Sequence, residues 1–268
     1  MSSTRLIPLI LIHVLFSVVA AQQPQKTKYS QSPTEQAGDP MAPMDQYQLL
    51  WTIIPETYGA DGWGQSAEFQ AVEFFTGTGF LPVQLARITV PFIINTPGSD
   101  HLTGLGDIVL FDQFVLLHTR SISFGIGPAM VMPTAVKPAL GQGKWQAGIS
   151  FGFLNAEIKN FQLGFIIENL RSFAGDSGRP DVRAMTIQPV INYIHNQWYL
   201  GAGDFITSFD WTTGNISVPL ALQLGYVTRI GKFHYNFSIE TVYWAKYEIP
   251  SPKWGIRIGF VLLDPLIP

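Results

Sequence analysis

Residues 233–248 read FHYNFSIETVYWAKYE, and the reading of this stretch decides the fold. Its odd positions are Phe233, Tyr235, Phe237, Ile239, Thr241, Tyr243, Ala245 and Tyr247. Its even positions include His234, Asn236, Ser238, Glu240, Lys246 and Glu248. A period of two sustained over this length marks a β-strand with one apolar and one polar face. The split recurs on both sides. At 216–226, Ile216, Val218, Leu220, Leu222, Leu224 and Tyr226 oppose Ser217, Ala221, Gln223 and Gly225. At 144–153, Trp145, Ala147, Ile149, Phe151 and Phe153 oppose Lys144, Gln146, Gly148, Ser150 and Gly152. The segments 121–132 and 254–262 behave alike.

Extended along the chain, the pattern predicts about twelve strands, within a range of 10 to 14: 46–57, 65–76, 80–95, 104–117, 121–133, 143–155, 158–171, 181–195, 197–210, 215–229, 232–247 and 253–263. The connections alternate in length. Tight turns carrying TGF, HTR, AE, N and IG alternate with longer stretches rich in Gly, Pro and Asp: ETYGADGWG, NTPGSDHLTG, PTAVKPALGQG and FAGDSGRPD. An up-and-down meander with two unlike ends is the layout of outer-membrane barrels. The expected fold is therefore all-β: a single antiparallel up-and-down transmembrane β-barrel over residues 45–268. A soluble sandwich or lipocalin-like barrel would show the same alternation with its apolar face turned inward.

Composition favours the membrane. Only 13% of the 268 residues are charged, about half the usual share of a soluble domain, and aromatic residues make up another 13%. Trp145, Trp198, Trp211, Trp244 and Trp254 stand near strand ends, where interfacial girdles form. Sixteen Lys and Arg against 19 Asp and Glu give a net charge of −3, which excludes a nucleic-acid partner. With no cysteine, neither disulfides nor thiolate chemistry is open to the chain.

The N-terminus points to export. Arg5 precedes the apolar run LIPLILIHVLFSVV and the small residues Ala20-Ala21, so residues 1–21 read as a cleaved signal peptide. The run is too short for a helical span, which needs about 20 residues. Residues 22–44, rich in Gln, Pro and Ser and without periodicity, read as a flexible leader.

Several stretches are familiar. The run IENLRSFAGDSGRPDVRAMTIQPVINYIHNQWYL at 167–200, LGQGKWQAGIS at 140–150, TGLGDI at 103–108, the closing RIGFVLLDP and Asp39-Pro40 together resemble a bacterial family. That family is the outer-membrane barrels grouped with meta-pathway phenol degradation, many labelled "neuromedin U" although unrelated to that hormone. The resemblance spans about residues 39–265. It implies an outer-membrane barrel with a transport or channel role, and its link to aromatic degradation suggests hydrophobic or aromatic solutes. This chain departs at its end, where Leu263-Asp264 and Leu266-Ile267-Pro268 replace the usual aromatic-rich finish.

Chemical candidates are few. Gly175-Asp176-Ser177-Gly178-Arg179-Pro180 differs by one residue from the GDSGGP nucleophile loop of trypsin-like proteases. A nucleophilic serine needs a histidine and an orienting carboxylate. His118 and His195 fall at the opposite barrel end, and His101 lies in another loop, so the stretch reads as a turn and no catalytic residue is expected. The scattered histidines offer no HxH or HExxH spacing, and no GxGxxG loop is present. No metal or cofactor is expected. If the apolar face meets lipid, Arg87, Gln146, Gln162, Glu168, Gln188, Asn192, Gln223, His234, Asn236, Glu240, Lys246 and Arg257 face the lumen, as polar side chains avoid hydrocarbon. They form either a mixed-charge conduit or a braced, packed interior. Outer-membrane lipid, small solutes and the barrel-assembly machinery are the expected partners. A narrow pore or uptake channel is the leading function. A sealed structural or surface-interaction barrel is the alternative, and a barrel-borne hydrolase at Ser177 a third.

Overall fold

The computed structural model describes residues 31–75, 83–98, 101–203, 205–248 and 250–264. The expected signal peptide and the TGF turn lie outside these residues. Twelve antiparallel strands close into one barrel: β1 Asp45–Tyr58, β2 Gly64–Phe75, β3 Val83–Asn95, β4 Ile108–His118, β5 Ile122–Met132 and β6 Lys144–Asn155. They continue with β7 Phe161–Gly175, β8 Arg183–His195, β9 in two pieces (Trp198–Gly201 and Thr207–Asp210), β10 Asn215–Ile230, β11 Phe233–Lys246 and β12 Ser251–Asp264. Each strand pairs with its sequence neighbours, and β1 pairs with β12 from Asp45↔Asp264 to Tyr58↔Ser251, which closes the ring.

Two strands differ from the sequence reading. The strand expected over 104–117 begins at Ile108; only Gly104–Leu105 joins β3 ahead of it, with Gly106 and Asp107 between the two pieces and Gly106 N donating to Pro91 O at 2.9 Å. The strand expected over 197–210 is broken between Gly201 and Thr207.

The alternation resolves with the apolar face outward. Leu220 and Leu222 are exposed on β10, Phe237 and Ile239 on β11, and Ile258 and Phe260 on β12, while Gln223, Asn236 and Glu240 are buried inside. A soluble barrel would reverse this assignment. Among the described residues no helix is long and apolar enough to cross a membrane.

Residues 31–44, expected as part of a flexible leader, are instead ordered and packed inside the barrel. Helix α1, Pro33–Gly38, opens on a capping box in which Ser32 Oγ accepts from Glu35 N at 3.3 Å and Ser32 N donates to Glu35 Oε2 at 2.6 Å. Pro33 suits the first helical turn, where an N–H would lack an acceptor. Below the helix, Met41, Ala42 and Met44 are fully buried. A strand period could not reveal a segment that packs by burial of isolated side chains.

The outward assignment is testable. In lipid vesicles, Leu222→Arg is expected to lower the unfolding free energy by about 2–4 kcal/mol, and Gln223→Arg, one residue on and inward, by distinctly less. Denaturant unfolding followed by tryptophan fluorescence measures both.

Candidate functional site

Inside the barrel lies a cavity of about 710 Å³. Its floor, toward the end with the short β4–β5, β6–β7, β8–β9 and β10–β11 turns, is Ala37, Gly38, Asp39 and Pro40. Its upper wall includes Asp107, Leu140, Gly141 and Gln142 of the long loops. A second cavity of about 600 Å³ sits at the long-loop end and shares Gly141, Gln142, Ala184 and Ser208 with the first.

The floor is latched by named contacts. Asp39 is buried and accepts from Gln31 Nε2 at 3.0 Å, from the Met41 amide at 2.9 Å and from Ser123 Oγ at 3.1 Å. Ser123 is in turn 2.9 Å from His118 Nδ1. Gln162 Nε2 donates to Glu35 O at 2.7 Å, and Asn192 Nδ2 reaches Gly38 O at 3.5 Å. A Cβ at Gly38 would overlap Gln162 Oε1 and press on Asn192 Nδ2, so a larger residue there would displace these two amides. Met41 Sδ rests on the inner faces of Gly125 and Gly152, at 3.4 and 3.3 Å from where their Cβ atoms would stand. Ala42 and Met44 complete the seal with Ile194, Tyr199, Val227, Val261 and Leu263.

Above this floor the polar side chains meet in two groups. Arg87 of β3 reaches across the lumen to Glu168 of β7 at 3.8 Å, with its guanidinium 3.9 Å from the Phe111 ring centroid. Arg257 of β12 pairs with Glu240 of β11 at 3.9 Å, donates to Thr52 Oγ1 at 3.1 Å and lies 4.0 Å from the Phe205 centroid. Guanidinium planes stack well on aromatic faces, so each cation is held flat against the wall.

Of the residues singled out from sequence, Arg87, Gln146, Glu168, Gln188, Asn192, Gln223, Asn236 and Arg257 line the central cavity. Gln162, 1% exposed, lies against α1, and Glu240, also 1% exposed, sits behind Arg257. His234 is half-buried opposite Leu263 near the short-turn end, and Lys246 is exposed as the last residue of β11. Trp198, Trp211 and Trp254 are exposed, and Trp145 is half-buried on β6. Trp244 departs from the girdle expectation: it is buried and packs edge-on against Phe205 at 5.3 Å. Its even position on β11 turns it inward with Glu240, and parity outweighs nearness to the strand end.

The motif FAGDSGRPD splits. Phe173, Ala174 and Gly175 end β7, and the remainder forms the β7–β8 loop. Gly178 N donates to Asp176 Oδ1 at 2.8 Å, and of the two glycines Gly175 alone takes a positive φ, +123. Ser177 thus rides a side-chain-braced turn at the long-loop end, while His101 is engaged with Asn95 Oδ1 at 3.0 Å. Among the described residues no group of three His, Cys, Asp or Glu could hold a metal. Sequence reading missed what the motif's remaining residues do. Arg179 donates to Pro138 O and Gly141 O, and Asp181 pairs with Lys144 at 3.1 Å, clasping the β7–β8 loop to the β5–β6 loop over the cavity. Both stretches, GQGKW and GDSGRPD, stood out in the sequence, but nothing in it showed that they touch.

No protein-family model matches the chain, and no curated protein is similar to it. Among solved structures, a COG4313 outer-membrane channel from Pseudomonas putida F1 superposes with a TM-score of 0.60 at 9% identity, over 90% of this chain and 99% of that one. Outer membrane phospholipase A from Escherichia coli gives a TM-score of 0.47 at 14% identity, over 90% of this chain and 96% of that one. The first likeness is one of fold, a closed antiparallel barrel shared with an outer-membrane channel.

Two measurements test the site. The chain has no cysteine, so a single Leu154→Cys, beneath Met41, reports on the floor. Asp39 accepts three hydrogen bonds, each contributing about 0.5–1.5 kcal/mol, so Asp39→Ala is expected to speed maleimide labelling of that cysteine by about tenfold or more. At the rim, the hydrogen bond from Lys144 holds the Asp181 carboxyl below the usual carboxylate range. A lowered folded-state value makes the clasp fully present above about pH 4 and lost as the pH falls through that lowered value. Protection of the amides of residues 176–182, referenced to intrinsic exchange, should fall only in that acid window, and Asp181→Asn should lower it at neutral pH.

Proposed function

We propose that the chain is an outer-membrane channel for small solutes, with hydrophobic and aromatic ones favoured, and that residues 31–44 close its short-turn mouth in the state described here. The observation that carries this reading is the 710 Å³ cavity, continuous in its lining with the long-loop end and floored by Ala37–Pro40. The barrel fold shared with an outer-membrane channel supports it, and the resemblance of the motifs to barrels associated with phenol degradation supports the solute class. On this reading residues 1–21 are a signal peptide, the short turns face the periplasm as in other outer-membrane barrels, and the exposed tryptophans mark the lipid interfaces.

Passage needs no covalent step. A solute would enter between the long loops, pass Arg87–Glu168 and Arg257–Glu240, and leave where the N-terminal segment yields. Both cations are paired and lie against aromatic rings, and the lining adds amides together with the carboxylates of Glu68 and Asp107. A barrel that never opens is the second reading, and the filled mouth favours it.

Planar-bilayer recordings separate the two. The refolded mature chain is expected to give single-channel steps, larger once residues 22–44 are removed. No steps from either form, with no solute flux into liposomes, would overturn the channel.

A further inference from the structure

The stretch RSFAGDSGRPDVR, 171–183, begins and ends on arginine, and the register brings its two ends together. Arg171 of β7 lies directly opposite Arg183 of β8, on the last rung of that pair. The rung is held from above: Ser172 N donates to Val182 O at 2.9 Å, and Val182 N to Ser172 Oγ at 3.0 Å. Parity turns both arginines out of the barrel. On β7 Ile166, Glu168 and Leu170 are buried inside, as are Val190, Asn192 and Ile194 on β8, so the odd residues of both strands face outward. Arg171 and Arg183 are both exposed.

Like charges directly opposite each other on one sheet face repel and weaken the pairing. Among the described residues neither guanidinium forms an ion pair. Asp181 is near enough to sense the Arg171 charge, but its carboxylate is engaged by Lys144 at 3.1 Å and by Ser172 Oγ at 3.3 Å, at the upper cavity. An anion set between the two guanidiniums would turn the repulsion into attraction.

The height of the pair on the wall says which anion. The outward face of β7 is apolar from Phe161, which packs against Tyr193 near the short turns, through Leu163, Phe165 and Ile167. Arg171 stands ten residues after Phe161. At about 3.3 Å per residue and a strand tilt near 40°, that is roughly 25 Å along the barrel axis, the height of the apolar band of an outer-membrane barrel. The pair therefore sits where hydrocarbon gives way to headgroups at the long-loop end. Exposed aromatic residues flank it. Phe173 follows on β7, and Trp211, whose backbone N–H donates to Arg183 O at 2.8 Å, stands beside β8 and stacks on Phe209.

We propose that Arg171 and Arg183 form a binding site on the outer wall for the phosphate of a phosphorylated glycolipid, whose acyl chains lie down the apolar face of β7 and β8. The guanidinium fork matches phosphate oxygens bidentately. Side chains directly opposite across a ladder stand about 5 Å apart at their Cβ atoms, so both can reach one phosphate. Aromatic side chains at headgroup level supply flat apolar surfaces beside a sugar ring. A free anion would use the two cations alone, whereas a lipid also uses the flanking rings and the apolar face below. The site rests on the outward placement of the long loops in the outer-membrane reading, because that leaflet is built of phosphorylated glycolipid. It is independent of whether the lumen conducts.

Two measurements on the full mature chain test the site. Native mass spectrometry in micelles doped with diphosphoryl lipid A is expected to show a retained lipid. Arg171→Gln with Arg183→Gln should weaken that binding by about tenfold or more, since two charge-assisted donors are lost. Lys159→Gln, which removes an exposed cation from the β6–β7 turn, should leave it within about twofold, because a distant charge is screened. No loss in the double variant, or an equal loss in Lys159→Gln, overturns the site. Displacement of the lipid by inorganic phosphate overturns the glycolipid in favour of a free anion, and equal retention of phosphatidylglycerol overturns it in favour of any anionic headgroup. Stability gives a second readout. In phosphatidylcholine vesicles the double variant, relieved of repulsion, should resist urea at least as well as wild type, and added lipid A should raise the midpoint of wild type alone. A wild-type midpoint unmoved by lipid A overturns the site with the channel intact, whereas chains that never insert into vesicles remove the membrane reading and the site together. Neither readout uses conductance, so an absence of single-channel steps would remove the channel and not this site. If the double variant fails to fold, Arg171→Gln alone is scored in its place.

Discussion

Pairing of β1 with β12 is the constraint on which the rest of the molecule depends. An open sheet leaves a row of N–H and C=O groups unpaired at each edge, and closure alone removes both edges. Once Asp45 faces Asp264 and Tyr58 faces Ser251, every strand has two neighbours, and each side chain is committed to the inside or the outside. A shift of one residue anywhere would turn a strand's apolar set into the lumen and its amides outward. The polar interior is therefore a consequence of closure in this register and requires no separate explanation.

Closure also fixes what can fill the interior. The inner face carries glycines at 125 and 152, which leave shallow bays where larger residues would close the lumen. Met41 occupies those bays, and Gln113 crosses beside them to Ser150 at 2.9 Å. The N-terminal segment is thus matched to the wall by shape. Asp39 adds direction, drawing Gln31, Ser123 and the Met41 amide to one carboxylate. A segment held by one carboxylate, two wall amides and three apolar side chains is bound far less extensively than a strand, which is what a removable closure requires.

What the sequence made legible was whatever repeats every two residues. Strand number, the order of long and short connections and the two-sidedness of each strand all follow from that period, and 233–248 shows it in one stretch. The floor was illegible because its signals are single: a Ser32-Pro33-Thr34-Glu35 capping box, one aspartate and two methionines in a region of low complexity. Trp244 stands near a strand end, yet its even position puts it on the same face as Glu240 and turns it inward. The break in β9 left one trace, Gly203, which adopts φ +76.

The charged residues of the lumen follow the same logic. A buried ion pair rarely adds net stability, since the cost of removing two charges from water offsets their attraction. Arg87–Glu168 joins β3 to β7, strands that are not neighbours, and so spans the lumen as a strut rather than reinforcing a ladder. Phe111 and Phe205 lie against the two guanidiniums, which narrows the passage. A cavity lined this way selects solutes by size and by the cost of leaving water.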